Sequence, residues 1–304
     1  MQTVAGWLFG LNSAPGANFS CSNLTIREMT AEEKNQVLRS AQDFFAKDQR
    51  IWINCIKKFP LMFERQIRDE LSFRGTDIVA VLLSLLSPGE IRTPFLWLVR
   101  KAGGGATASN SQVIEVFYRL INGKFHTVDF HAIKASAEVM FKRLEGMLSS
   151  DRSEHIDLVL EERLFEAKRH MLTTNAISEE IVARAADTCI ALESLYNEGS
   201  SSEIQFRLAI SIACLLERDP FNREGAMKAI IDTYGLRSKV VHGSKPAKDT
   251  QKKIESVVYT DRFLRRSILT RLLNRLDEKS WIATFQKARL GIPYEGDTAE
   301  WVNN

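Results

Sequence analysis

From residue 128 to residue 277 apolar side chains recur every three or four positions with few interruptions, and this periodicity limits the fold more than any other feature. It predicts helices over 128–148, 154–172, 177–197, 202–218, 222–242 and 250–277. Between them lie Ser149-Ser150-Asp151, Asn197-Glu198-Gly199-Ser200-Ser201 and Asp219-Pro220. Turns this short fold each helix back on the one before it, so the C-terminal half reads as a bundle of four or five helices. Within 250–277, Ile254, Val257, Val258, Leu264, Ile268, Leu272 and Leu276 keep helical spacing, while Arg262, Arg265, Arg266 and Arg275 fall largely outside their stripe. One face is expected to pack and the other to be basic.

The first 150 residues are less regular. Weak alternation and the turn formers Asn12-Ser13-Ala14-Pro15-Gly16 suggest a short β-hairpin within 4–27, pairing Val4–Leu11 with Phe19–Arg27. Thr30-Ala31-Glu32-Glu33 is a capping box, since threonine can accept from a first-turn N–H while Glu33 reaches back. A helix to about Lys47 should follow, and another across Ile51–Leu71. Apolar segments at 77–87 and 95–100 flank the turn Ser87-Pro88-Gly89. The stretch KAGGGATASNS, with Gly103-Gly104-Gly105, reads as a loop; a phosphate cradle would want a following Gly-Lys-Ser/Thr. Trp52, Phe59, Phe63, Trp97 and Phe117 read as a second helical core. The expected fold class is mainly α: a mostly helical N-terminal region at 1–150 with no assigned role, a helical bundle at 151–290, and a tail at 291–304.

Composition narrows the class. With 304 residues, 44% hydrophobic and 26% charged, the chain suits one large or two ordinary globular domains. Cys21, Cys55, Cys189 and Cys214 form no CxxC pair, which suits reduced thiols in a cytosol. VAGWLFGL at 4–11 has no basic residue before Arg27, contrary to a secretory leader, and the longest apolar run, IVAVLLSLL at 78–86, is half a membrane span. A soluble, cytoplasmic protein without membrane partners is expected. Net charge is only +3, yet between Arg237 and Arg275 eleven Lys/Arg face three Asp/Glu, a local balance of +8, against 30 and 35 elsewhere. Such asymmetry suits an anionic partner, nucleic acid first among them, or a solvated helix face.

The densest chemistry is YGLRSKVVHGSK, 234–245. On an ideal helix Arg237 and His242 point about 140° apart with roughly 7.5 Å of rise. Gly243 suits the position just past a helix end, which would put His242 in a last turn that favours imidazolium; Gly235 would equally end a helix earlier. Histidine titrates near neutrality and can take or give the ribose 2′-hydroxyl and 5′-oxygen protons in RNA cleavage. Arginine can stabilise the phosphoryl oxygens bidentately. The same two residues can also simply cap helix carbonyls. In FHTVDFH, His126 and His131 bracket Asp129, but no further ligands stand at metal-binding spacing, and neither metal nor cofactor is expected.

The surroundings carry a resemblance. LESLYNEGSSSEIQFRLAISIACLLE (192–217) followed by REGAMKAIIDTYGLRSKVVHG (223–243) resembles the HEPN superfamily, and within it the ApeA-like branch of bacterial anti-phage proteins. The family's signature is an arginine and a histidine with four to six residues between them, matched here with four by Arg237 and His242. The likeness spans about 190–245 and extends over 154–277. It implies a HEPN-like bundle at 151–290 and a metal-independent endoribonuclease formed by two docked copies, each contributing Arg237 and His242. Cleavage by 2′-hydroxyl attack would leave a 2′,3′-cyclic phosphate, in antiviral defence or growth arrest under an unidentified phage-derived trigger. Ser238 stands where many members carry Asn, Asp or His after the arginine. Tyr234, Lys239, Glu193 and Arg207 are candidate supporting or RNA-binding residues, with a structural role favoured for Glu193 and Arg207. Two other readings stand beside the nuclease: an RNA-binding protein without cleavage, and a helical interaction scaffold in which Arg237 and His242 only end a helix.

Overall fold

Pro60 decides the architecture of the first unit. A residue before proline is pushed out of helical backbone, and here a helix stops at Lys58 and a strand starts at Leu61. The computed structural model describes residues 2–13, 16–21, 24–44, 49–67, 78–87, 89, 91–99, 106–109, 127–145, 179–196, 198, 203–241 and 250–303. The chain divides into two units, Met1–Ser153 and Glu154–Asn304. Among the described residues are nine α-helices, none long and apolar enough to cross a membrane.

The first unit is built on a sheet. Its strands are β1 (Gln2–Trp7), β2 (Leu11–Asn12), β3 (Asn18–Cys21), β4 (Leu24–Glu28), β5 (Leu61–Ile67), β6 (Phe95–Val99), β7 (Ala106–Ser109) and β8 (Val128–Asp129). Six form an antiparallel sheet in the order β3-β4-β5-β1-β6-β7, and β2 pairs with β8 in parallel. The helices are α1 (Ala31–Phe44), α2 (Gln49–Lys58), α3 (Ile78–Leu85) and α4 (Phe130–Arg143). The mostly helical N-terminal region is therefore corrected to a sheet with helices.

The hairpin is corrected too. Its two arms do not pair with each other: β1 lies between β5 and β6, with Val4 opposite Arg65 and Leu98, and the hairpin that forms is β3–β4, with Phe19 opposite Ile26. The helix expected across Ile51–Leu71 is split by Pro60 into α2 and β5. Part of the expected loop, Ala106–Ser109, pairs with β6. The aromatic core joins sheet and helices: Trp7, Phe9 and Phe95 pack with Trp52, Cys55 and Ile56 of α2, and the Trp7 indole donates to the Phe59 carbonyl at 2.8 Å. Phe63 lies on β5 and Trp97 on β6, while Phe117 is outside the described residues. The capping box forms as read, Glu33 N donating to Thr30 Oγ1 at 3.3 Å and Thr30 N to Glu33 Oε2 at 2.7 Å.

The described residues of the second unit are mainly helical, and the helix expected over 154–172 lies outside them. The unit's described helices are α5 (Glu179–Leu195), α6 (Ile204–Leu216), α7 (Pro220–Val241), α8 (Thr250–Leu273) and α9 (Glu278–Arg289). Helix α7 packs on α5, α6 and α8, while α9 packs on α6. Pro220 sits where a first-turn N–H has no helical partner to lose, and Asp219 accepts from Phe221 N at 2.9 Å. Asp277 caps α9 by accepting from Ser280 N at 2.8 Å, and Trp281 on that helix donates to the Leu195 carbonyl at 2.8 Å.

Of residues 291–304, read from sequence as a tail, the described 291–303 turn back onto the bundle. Thr298, Ala299 and Val302 are buried, and Asp297 exchanges hydrogen bonds with Asn274.

Candidate active site around Arg237

Helix α7 runs through Gly235 without a break, so the shorter helix suggested by that glycine does not occur. A Cβ at Gly235 would meet nothing within 4 Å, so the position carries only the entropic cost of glycine in a helix. Its neighbours hold the helix instead. Leu236 is buried with Ile181, Ala185 and Val257, and Thr233 shares a hydroxyl contact of 2.9 Å with Thr260 of α8.

Arg237 lies at the edge of this packed face, 26% exposed, beside Glu193 of α5 at 21%. Its Nη2 is 3.2 Å from Glu193 Oε1 and donates to Oε2 at 3.4 Å, while Nη1 donates to the Tyr234 hydroxyl at 3.1 Å. Tyr234 in turn donates to Glu193 Oε1 at 2.5 Å, and the Arg237 guanidinium lies 5.0 Å from the centre of its ring. Burial raises the Tyr234 phenol above its ordinary value, and the Glu193 carboxylate holding its proton raises it further. The tyrosine therefore stays a neutral donor across ordinary pH. Cys189, one turn before Glu193, is buried, and burial pushes its thiol up to about 12. It is an inert packing residue.

The sequence candidates separate accordingly. Glu193, Tyr234 and Arg237 are brought together; Ser238 follows on α7, exposed. Lys239 is in α7, but its side chain is outside the described residues, and so is the whole of His242. Arg207, in the first turn of α6, belongs elsewhere: it lies 3.9 Å from Glu198, which precedes that helix and also pairs with Arg289. Asp129 in FHTVDFH is a helix cap: it accepts from His131 N at 3.0 Å at the start of α4, with His131 exposed. His126 is outside the described residues, and among those described no group of three or more His, Cys, Asp or Glu is placed to hold a metal ion.

The basic face expected on 250–277 requires correction. Arg265 and Arg266 are buried. Arg266 bonds Glu217 Oε1 and the Leu216 carbonyl, each at 2.5 Å. Arg265 Nε and Arg184 Nη2 of α5 both lie 3.1 Å from the same oxygen of Asp261, itself buried. Burial lowers the Arg265 guanidinium from its ordinary value, against the pull of Asp261. Arg262 leans over the Tyr259 ring at 5.7 Å.

Sequence reasoning missed this internal charge cluster. Two signals mark it: Asp261 sits four residues from both Val257 and Arg265 inside the apolar stripe, and Arg184 is flanked by Ala183 and Ala185.

What the Arg237 cluster can do chemically is limited and specific. It offers an ordered guanidinium at a helix edge, suited to two parallel hydrogen bonds to a phosphate, with its charge balanced by one carboxylate. No family model, curated protein or solved structure matches the chain.

Proposed function

We propose that the chain is a metal-independent endoribonuclease of the HEPN type, with Arg237 and His242 as its catalytic residues. The observation that carries the reading is the placement of Arg237: a partly exposed, ordered guanidinium near the end of α7, five residues before His242. In this reaction Arg237 holds the scissile phosphate. One imidazole takes the 2′-hydroxyl proton as the 2′-oxygen–phosphorus bond forms; the bond from phosphorus to the 5′-oxygen breaks, and the leaving oxygen takes a proton from a second imidazole. The products are a 2′,3′-cyclic phosphate and a 5′-hydroxyl.

One His242 per copy supplies one such group, so a homodimer through the helical unit completes the acid–base pair. The setting in anti-phage defence or growth arrest, and a phage-derived trigger, rest on the sequence resemblance. A trigger-sensing role for residues 1–150 rests on it as well.

The test is incubation of purified protein with total tRNA and rRNA in EDTA, beside His242→Ala and Arg237→Ala. Cleavage by wild type with cyclic-phosphate ends, reduced by about 10²–10⁴ in each variant, is the expected result. Cleavage that survives both substitutions would remove the two residues from the mechanism.

A scaffold reading has its own support, because Arg237 ties α7 to Glu193 on α5. In that case Arg237→Ala changes the melting temperature and nothing else. A part-exposed pair of this kind contributes about 0–1 kcal/mol.

A further inference from the structure

We propose that Glu193 is a built-in counter-charge that occupies the phosphate position of Arg237, and that RNA must displace it to bind. This inference rests on the ribonuclease reading of the same site. A carboxylate and a phosphate compete for the same donors, because both accept the paired N–H groups of a guanidinium. In the free protein Glu193 holds that place, with Nη2 of Arg237 at 3.2 and 3.4 Å from its two oxygens. The Tyr234 hydroxyl donates to the same carboxylate at 2.5 Å and so anchors it there.

The cluster is thus neutral where an anionic strand would approach, and a phosphate that reaches Arg237 also meets a like charge. The centre of the Tyr234 ring also lies 5.0 Å from the guanidinium. It gives Arg237 a surface on which to exchange one anion for the other without losing its stack. The restraint would keep a nuclease weak until substrate or a second copy shifts Glu193 away.

The measurement is binding of a short single-stranded RNA made uncleavable by 2′-O-methylation, across a salt series, to wild type, Glu193→Gln, Glu193→Ala and Glu193→Gln/Arg237→Ala. Glutamine keeps the size and one acceptor while removing the charge. Alanine removes the same charge with different packing, so at least one folded variant reports, as checked by melting. The expected result is roughly five- to tenfold tighter binding for both single variants. The log–log salt slope should steepen by about 0.7, one further phosphate neutralised on a single strand. Both gains should vanish in the double variant.

Unchanged or weaker binding in the single variants, with wild type still cleaving ordinary RNA, would overturn the counter-charge and leave the nuclease standing. Tighter, Arg237-dependent binding with no cleavage by any protein would keep the counter-charge and discard the nuclease. Neither binding nor cleavage by any of the four would discard both.

Discussion

The two units contain opposite versions of one arrangement. In the first, Arg27 stands between two carboxylates, Glu33 and Glu64, with side chains 28%, 19% and 32% exposed. In the second, Asp261 stands between two guanidiniums, Arg184 and Arg265, with exposures of 0%, 1% and 6%. Each trio has one charge more of one sign than of the other. On the sheet, water can solvate the surplus; inside the bundle it must be met by protein. Depth therefore sets what each trio contributes, since exposed pairs are nearly neutral to stability while a buried charge that loses its partner is costly. Arg237 and Glu193, 26% and 21% exposed, match the Arg27 trio in depth but form a one-to-one pair at a helix edge with no surplus charge between them.

The sharpest way to break this contrast is Asp261→Ala. Two buried arginines would lose their common acceptor, and a destabilisation of about 3–5 kcal/mol is expected in urea unfolding. A loss below about 1 kcal/mol would put the bundle trio in the same class as the half-buried one on the sheet.

Acid tests the other side. Burial alone would raise the Glu33 carboxyl, but hydrogen bonds from the Arg27 side chain and from Thr30 hold it below its ordinary value. Because the folded value is depressed, the stabilisation is complete above the ordinary carboxylate range and fades as pH falls through the folded value. The stability difference between wild type and Glu33→Gln should be about 1 kcal/mol near neutrality and shrink as acid protonates Glu33. A difference that stayed constant into strong acid would show that the capping geometry, not the charge, carries it.

The smallest expected effect concerns the helix that holds the edge pair. Gly235→Ala should raise stability by about 0.5–1 kcal/mol, as the position is helical and open. A loss would mean that the added methyl disturbs Tyr234 and Leu236 beside it.

How much of this was legible in the sequence differs between the units for a physical reason. Helices bond within themselves, so their periodicity, the Thr30–Glu33 box and Asp219-Pro220 mark α1, α5, α6, α7 and α8 locally. Strands bond to segments far away: β1 takes partners at 61–67 and 95–99. Nothing within Gln2–Trp7 announces either partner, and the nearby residues 19–27 looked more suitable. Helix α9 went unread although Asp277 stands as a cap before it.

At the candidate site, Arg237, Tyr234 and Glu193 were all legible as types of residue at suggestive positions. That Glu193 joins the other two, while Arg207 joins Glu198, was not. Residues 193 and 237 lie far apart in sequence, and only the packing of α5 against α7 makes them neighbours.

By itself, then, the sequence determined the helical character of the described part of the second unit and several of the caps and breaks that bound its helices. These depend on contacts a few residues apart. Tertiary structure alone decided that the first unit is built on a six-stranded sheet and that Arg265 and Arg266 belong to the interior. It also decided that Arg237 meets the Glu193 carboxylate. Each of these depends on what another element brings within about 3 Å, the reach of a hydrogen bond, and no local pattern of residues encodes that distance.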